Sequence, residues 1–199
     1  MFDEEILEKV TMEMLQNNKP ITYDELYAKV TKFIKKEEEL DVINAAYGFA
    51  LEKHGNKVRR NGDPYISHPL EVANILTDLN VDYVTIACAL LHETVNHANA
   101  SYDEIKNEFG EEIFKIIYSI SKINRLELSD EKEASAAYLR KVLVGLSEDV
   151  RVLYIKLADR LHNMRTIYAL PTEEQKAKAN ETTAVLIPIA HRLGINSIK

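Results

Sequence analysis

The chain has 199 residues, 46% of them apolar, and a net charge of −7 from 25 basic and 32 acidic side chains. This is enough for one large domain with a sizeable core, and the acidic balance argues against broad, nonspecific nucleic-acid binding by this domain. A single cysteine, Cys88, excludes a disulfide framework. No apolar run reaches spanning length, and the acidic start Met1-Phe2-Asp3-Glu4-Glu5 is unlike a signal peptide, so a cytoplasmic protein is expected.

In chain order every segment predicts helix, and none alternates like a half-buried strand. Residues 3–16 and 23–36 form two amphipathic helices around a turn at Asn17–Pro20, with Lys35–Glu39 as a solvated junction. The main body begins with a helix over 40–54 and a loop over Gly55–Pro64, rich in turn residues. Helices follow at about 69–80, 82–95, 101–109, 111–122, 130–146, 148–169 and 172–192. Capping-box spacings occur at Thr22/Glu25, Ser101/Glu104 and Thr172/Gln175. Ser129 and Ser147 are N-cap candidates, and Gly194 is a C-cap candidate. Pro188 inside the last helix predicts a break there. The expected division is an N-terminal helical extension, 1–37, followed by one all-α domain, 38–199.

The helix around Asp159 places Asp159, His162, Asn163 and Thr166 on one side, opposite Leu157, Leu161 and Met164. One and two turns back that polar stripe becomes Ile155 and Val152. A stripe that begins apolar points into an interior cavity, where a carboxylate needs a cation or several donors. The alternative is a stripe that emerges at the surface. Val84–Leu91 is apolar on every side, which predicts a central helix with Cys88 in the core and His92-Glu93 at its end. His68, just before Pro69, falls at the start of another helix. His68, His92, Glu93 and Asp159 together are a mixed N/O set suited to a divalent ion such as Mn, Fe or Zn. Taken singly, each also fits an ordinary role as a hydrogen-bonded core histidine, a cap or a surface carboxylate. The loop Lys57-Val58-Arg59-Arg60 offers cations beside glycines, suited to a phosphate, or simply a solvated basic turn.

Three stretches carry a resemblance: Arg59-Arg60-Asn61-Gly62-Asp63-Pro64-Tyr65-Ile66-Ser67-His68-Pro69-Leu70-Glu71-Val72-Ala73, then Val150 to Thr166 with its core Lys156-Leu157-Ala158-Asp159-Arg160-Leu161-His162-Asn163, and Ile187 to Ile195. Over roughly residues 40–199 the sequence resembles the N-terminal hydrolase domain of RelA/SpoT homologues, the enzymes that make and destroy (p)ppGpp. The resemblance implies an all-α, HD-type helical bundle with Mn2+ bound at His68, His92, Glu93 and Asp159. It implies nucleotide contacts from Arg59, Arg60, Asn163 and Thr166, and (p)ppGpp as the guanine-nucleotide ligand.

The same resemblance exposes departures. The family's second metal-binding aspartate is Glu93 here. Its acid/base Glu-Asp pair, which activates the water attacking the 3′-pyrophosphate, is replaced by Asn96 and His97. An amide takes no proton from water, and general acid/base catalysis contributes about 10²–10⁴ in rate. Hydrolysis is therefore expected to be lost or weakened, leaving a regulatory role toward a C-terminal synthetase domain. That domain is not in these residues, which read as the N-terminal region of a longer enzyme, a truncated gene product being the alternative. Two other readings stand beside this one: a working Mn-dependent 3′-pyrophosphohydrolase with His97 as base, and a metal-dependent phosphohydrolase on another nucleotide. A bare interaction module built on residues 1–36 is a fourth.

Overall fold

The computed structural model describes residues 19–124 and 149–192. The helices expected over 3–16 and 130–146, and the caps at Ser129, Ser147 and Gly194, lie outside these residues. Nine α-helices occur among the described residues: α1 (Tyr23–Val30), α2 (Glu37–His54), α3 (Ser67–Thr77), α4 (Tyr83–Leu91), α5 (Thr94–His97), α6 (Tyr102–Asn124), α7 (Val150–Arg165), α8 (Thr172–Glu181) and α9 (Ile187–Arg192). Among the described residues there is no sheet, only an isolated bridge between Val58 and Pro64. The all-α expectation holds.

The apolar helix α4 is the axis of the bundle and packs against α2, α3, α6 and α7. All its residues from Val84 to Leu91 are buried, which is why its sequence shows no polar face. Ile86, Leu90 and Leu91 are fully buried beside Ile43 of α2, Leu76 of α3, Ile117 of α6 and Ile155 of α7. Burial of each such side chain stabilises the fold by about 1.5–3 kcal/mol. Cys88 is buried and free, as expected. Helix α1 lies on α3 and places Leu26 and Val30 in the same core, and the backbone N–H of Ile21 donates to Glu71 Oε1 at 2.8 Å.

Local signals set most helix ends. The Thr22/Glu25 capping box is formed. So is the one at Ser101, whose N–H donates to Glu104 Oε2 at 2.7 Å while the Glu104 N–H donates to Ser101 Oγ at 3.1 Å. Thr172 does not cap: Pro171 takes the N-cap position, and Gln175 Nε2 instead donates to the Leu170 carbonyl at 2.8 Å. A proline there leaves Thr172 as the first helical residue. Helix α1 ends at Val30, short of the expected 36, and α2 starts at Glu37, where three glutamates face the N-terminal end of the helix dipole. The residues read as a solvated junction are in part a helix start. Gly110, with φ 82°, bends α6 at the place where the sequence separates two helices. Pro188 has no N–H to give, and the chain just before it, Thr182–Leu186, widens into a π-helical turn. No helix among the described residues is long and apolar enough to cross a membrane.

Candidate metal centre

The expected helix 82–95 stops at Leu91, and the break makes the site. His92 is the C-cap of α4 and Glu93 precedes the short α5. Thr94 Oγ1 donates to the Leu91 carbonyl at 2.7 Å, which satisfies one of the orphan acceptors at the helix end. His68 stands at the second position of α3, with Pro69 third. The helix starts two residues earlier than expected, at Ser67 rather than Pro69, but Pro69 remains in the first turn, where no N–H is missed. Asp159 comes from the middle of α7, on the polar stripe, and is buried along with His162. That stripe faces the interior, as its apolar beginning implies.

These elements bring His68, His92, Glu93 and Asp159 together, each with a ligand atom within 4.8 Å of the others. His68 Nε2 lies 3.3 Å from Asp159 Oδ1 and 3.8 Å from Glu93 Oε1, and His92 Nε2 lies 4.0 Å from Asp159 Oδ1. His92 Nδ1 donates to the Ala89 carbonyl at 2.7 Å, so its Nε2 carries the free lone pair. His68 Nε2, His92 Nε2 and Glu93 Oε2 are buried with no hydrogen-bond partner. Three unsatisfied polar atoms converging in the interior are costly alone, and a cation among them satisfies all three. The donor set, two imidazoles and two carboxylates, fits a divalent transition metal.

The charges agree. Burial opposes ionisation of Asp159, but Lys156 and the adjacent His68 and His92 rings outweigh it and hold the carboxyl well below the usual range. Lys156 Nζ donates to Asp159 Oδ2 at 3.0 Å. For Glu93 too, burial is outweighed by His68 and His92, and the carboxyl is held low. Burial pushes His92 down toward its neutral, ligand-competent form, and pushes His162 down to about 3.

Beside this group lies part of the expected nucleotide-contact set. Asn163 Nδ2 donates to Asp159 Oδ1 at 2.6 Å, and Arg59 Nη2 lies 3.4 Å from both Asn163 Oδ1 and Thr166 Oγ1. The basic loop is folded back by the Arg59 N–H to the Asp63 carbonyl, at 2.8 Å, and by Gly62 at φ 89°. Arg60 is not brought in; it pairs with Glu174 of α8 at 2.9 Å on the surface. Asn96 turns toward α6 and accepts from Ser121 Oγ at 3.1 Å. His97 is half exposed, with Nε2 3.8 Å from Glu93 Oε1 and its carbonyl held by Lys57 Nζ at 2.6 Å. The i,i+4 approach of Glu93 and His97 expected from a continuing helix is present.

Sequence reasoning gave no role to four residues of this neighbourhood. Lys156 lies one turn before Asp159, a spacing visible in the sequence. His162 sits on the polar stripe, with Nδ1 2.8 Å from His68 Nδ1. Tyr65 stacks on buried His54 with centroids 4.7 Å apart and lies 6.1 Å from His97. No local pattern places His54 there, since it arrives from the end of α2.

Residues 46–196 match the HD-domain family. The chain is 45% identical over 175 residues to GTP pyrophosphokinase rsh of Brucella ovis, covering 88% of this chain and 23% of that protein. It is 39% identical over 163 residues to the bifunctional (p)ppGpp synthase/hydrolase SpoT of Escherichia coli, covering 82% of this chain and 23% of that protein. The chain thus spans about a quarter of the length of these relatives. A solved structure described as a metazoan ortholog of SpoT that hydrolyzes ppGpp shares the fold, with a TM-score of 0.58, 21% identity, and coverage of 70% of this chain and 82% of that one. The chain belongs to the HD-domain family, and within it to the HD domains of RelA/SpoT-type proteins.

Proposed function

We propose that residues 38–199 form a (p)ppGpp-binding HD-type domain whose 3′-pyrophosphohydrolase activity is lost or weakened, and which serves a synthetase domain of a longer cytoplasmic protein as a regulatory partner. The observation that carries this reading is at Asn96: an amide stands where the family resemblance places an acid/base carboxylate, and its oxygen is engaged by Ser121 of α6. The metal group and the Arg59–Asn163–Thr166 set persist beside it.

A divalent ion held by His68, His92, Glu93 and Asp159, manganese by the family resemblance, would supply Lewis-acid neutralisation of phosphoryl charge. The chain's own residues do the rest. Arg59 offers a guanidinium suited to a phosphate fork. Asn163, fixed by Asp159, presents its amide oxygen toward Arg59, and Thr166 adds a hydroxyl. Lys156 keeps Asp159 ionised. Binding is thus supported, while no carboxylate occupies the acid/base positions.

Purified chain incubated with Mn2+ and ppGpp tests this: ppGpp binding is expected, with pyrophosphate release slowed by about 10²–10⁴ relative to an intact enzyme. Turnover at the rate of an intact enzyme rejects the reading. One observation favours the alternative of an active hydrolase: His97 stands beside Glu93 with half its surface open. On that reading His97→Ala abolishes turnover that the parent chain shows.

A further inference from the structure

Two ligand histidines are oriented in two different ways. His92 is set by the backbone: its Nδ1 meets the Ala89 carbonyl, which can only accept, so Nε2 is left for the metal group. His68 has a side chain in that place. Its Nδ1 is 2.8 Å from His162 Nδ1, both rings are buried, and their planes are tilted by 49° with centroids 4.9 Å apart.

Two ring nitrogens at this distance share one proton. With the proton on His68 Nδ1, Nε2 keeps its lone pair and faces Asp159 and Glu93. With the proton on His162 Nδ1, His68 must carry its hydrogen on Nε2 and can no longer be a ligand. The choice therefore decides whether the donor set has two imidazoles or one. His162 is buried and its Nδ1 is aimed at His68 Nδ1, which places a ring nitrogen able to accept in line with that proton.

We propose that His162 is a positioning residue for the metal centre: it accepts the Nδ1–H of His68 and so fixes that ring in the tautomer that presents Nε2 to Glu93 and Asp159. This rests on the reading of His68, His92, Glu93 and Asp159 as a metal group. It assigns α7 two tasks, supplying one ligand at Asp159 and orienting another one turn later. Partners of this kind fix ring orientation and tune ligand basicity, and their removal costs about 10–100-fold in metal affinity.

The test is Mn2+ affinity, by spin-resonance titration, of the parent chain, His162→Leu and His162→Asn. Leucine fills the space without accepting. Asparagine puts an amide oxygen where the imidazole Nδ1 stood. His162→Leu is expected to weaken binding by about 10–100-fold, with His162→Asn regaining most of the loss. Equal loss in both variants, or none in either, overturns the proposal.

A second measurement needs no variant. In the Zn2+-loaded parent labelled with 15N-histidine, His68 Nδ1 is expected at a protonated-type shift, with through-bond coupling to His162 Nδ1. An unprotonated His68 Nδ1, or absent coupling, overturns it. A parent chain that binds neither ion sinks the metal reading itself. A parent that binds and is indifferent to His162→Leu sinks only the positioning role.

Discussion

Replacing Asn96 by Glu and His97 by Asp together restores carboxylates at the two positions where the resemblance places the acid/base pair. The rate expected follows from three contributions. Regained general acid/base catalysis is worth about 10²–10⁴, or about 3–5 kcal/mol of barrier. Against it stands Ser121, which now holds the Asn96 side chain by a hydrogen bond of 3.1 Å. That contact would favour a rotamer turned toward α6 by about 1 kcal/mol and so withhold up to about fivefold of the gain. Losing His97 also removes its 3.8 Å approach to Glu93, in which His97 is half exposed; this costs stability of at most about 1 kcal/mol and not rate. A net gain of at least about 20-fold is expected, rising to at least about 10² if the introduced glutamate is free of Ser121. Adding Ser121→Ala to the double variant should move the rate toward the upper figure. The assay is pyrophosphate release from ppGpp at saturating Mn2+, with folding checked by circular dichroism. A folded double variant that binds ppGpp and turns over no faster than the parent refutes the assignment of these two positions.

Arg59→Ala should weaken ppGpp binding by about tenfold or more, the worth of a charge-assisted hydrogen bond, and leave the thermal midpoint nearly unchanged; titration calorimetry reads the first and a melting curve the second. Leu90→Ala, in the fully buried face of α4, should cost about 2–5 kcal/mol in urea unfolding. His54 gives a pH prediction: it is buried, and desolvation pushes it down to about 4. The unfolded chain takes up a proton near the ordinary value of about 6.5, which the folded chain refuses. Stability is therefore full above about 6.5, falls as pH drops toward about 4, and loses no more to this group below that. The fall is up to about 3 kcal/mol, and urea midpoints across this range should flatten in His54→Leu.

The parts of the site legible in the sequence were those written along one element. Asp159, His162, Asn163 and Thr166 declare themselves because a helix repeats its face every three to four residues and this stripe starts apolar. The centrality of α4 is legible because an element buried on all sides has no polar face to show. What pattern alone left open was every pairing across elements. Taken singly, His68, His92 and Asp159 look like isolated core or capping residues until α3, α4 and α7 are packed; their donor chemistry and the family resemblance, not any local spacing, joined them beforehand. The partnership of His162 with His68 spans 94 positions and leaves no local trace. The break at His92-Glu93 is hidden because the apolar run continues into Thr94-Val95, so periodicity favours one helix through 95. Capping by Thr94 Oγ1 on the Leu91 carbonyl ends it instead.

That break bears on what substitution can change at this site. His92 and Glu93 are neighbours in sequence, and in one continuous helix they would point about 100° apart. Ending α4 at Leu91 lets both face the same buried group, and it carries Asn96 and His97 on a separate short helix, α5. The residues that could hold a cation are thus anchored on or beside α3, α4 and α7 around the core, while those at the proposed acid/base positions sit on a four-residue segment at its edge. Exchange at Asn96 and His97 therefore disturbs few core contacts, whereas loss of His68 or Asp159 removes polar contacts made within the core. The same chain can lose proton transfer and keep its pocket. On this argument Asp159→Ala, which removes the buried carboxylate that accepts from Lys156 Nζ at 3.0 Å and from Asn163 Nδ2 at 2.6 Å, should cost stability by about 1.5–3 kcal/mol. His97→Ala should cost at most about 1 kcal/mol. Equal losses of stability in the two variants, measured by urea unfolding without added metal, would show that the pocket is not built into the core in this way.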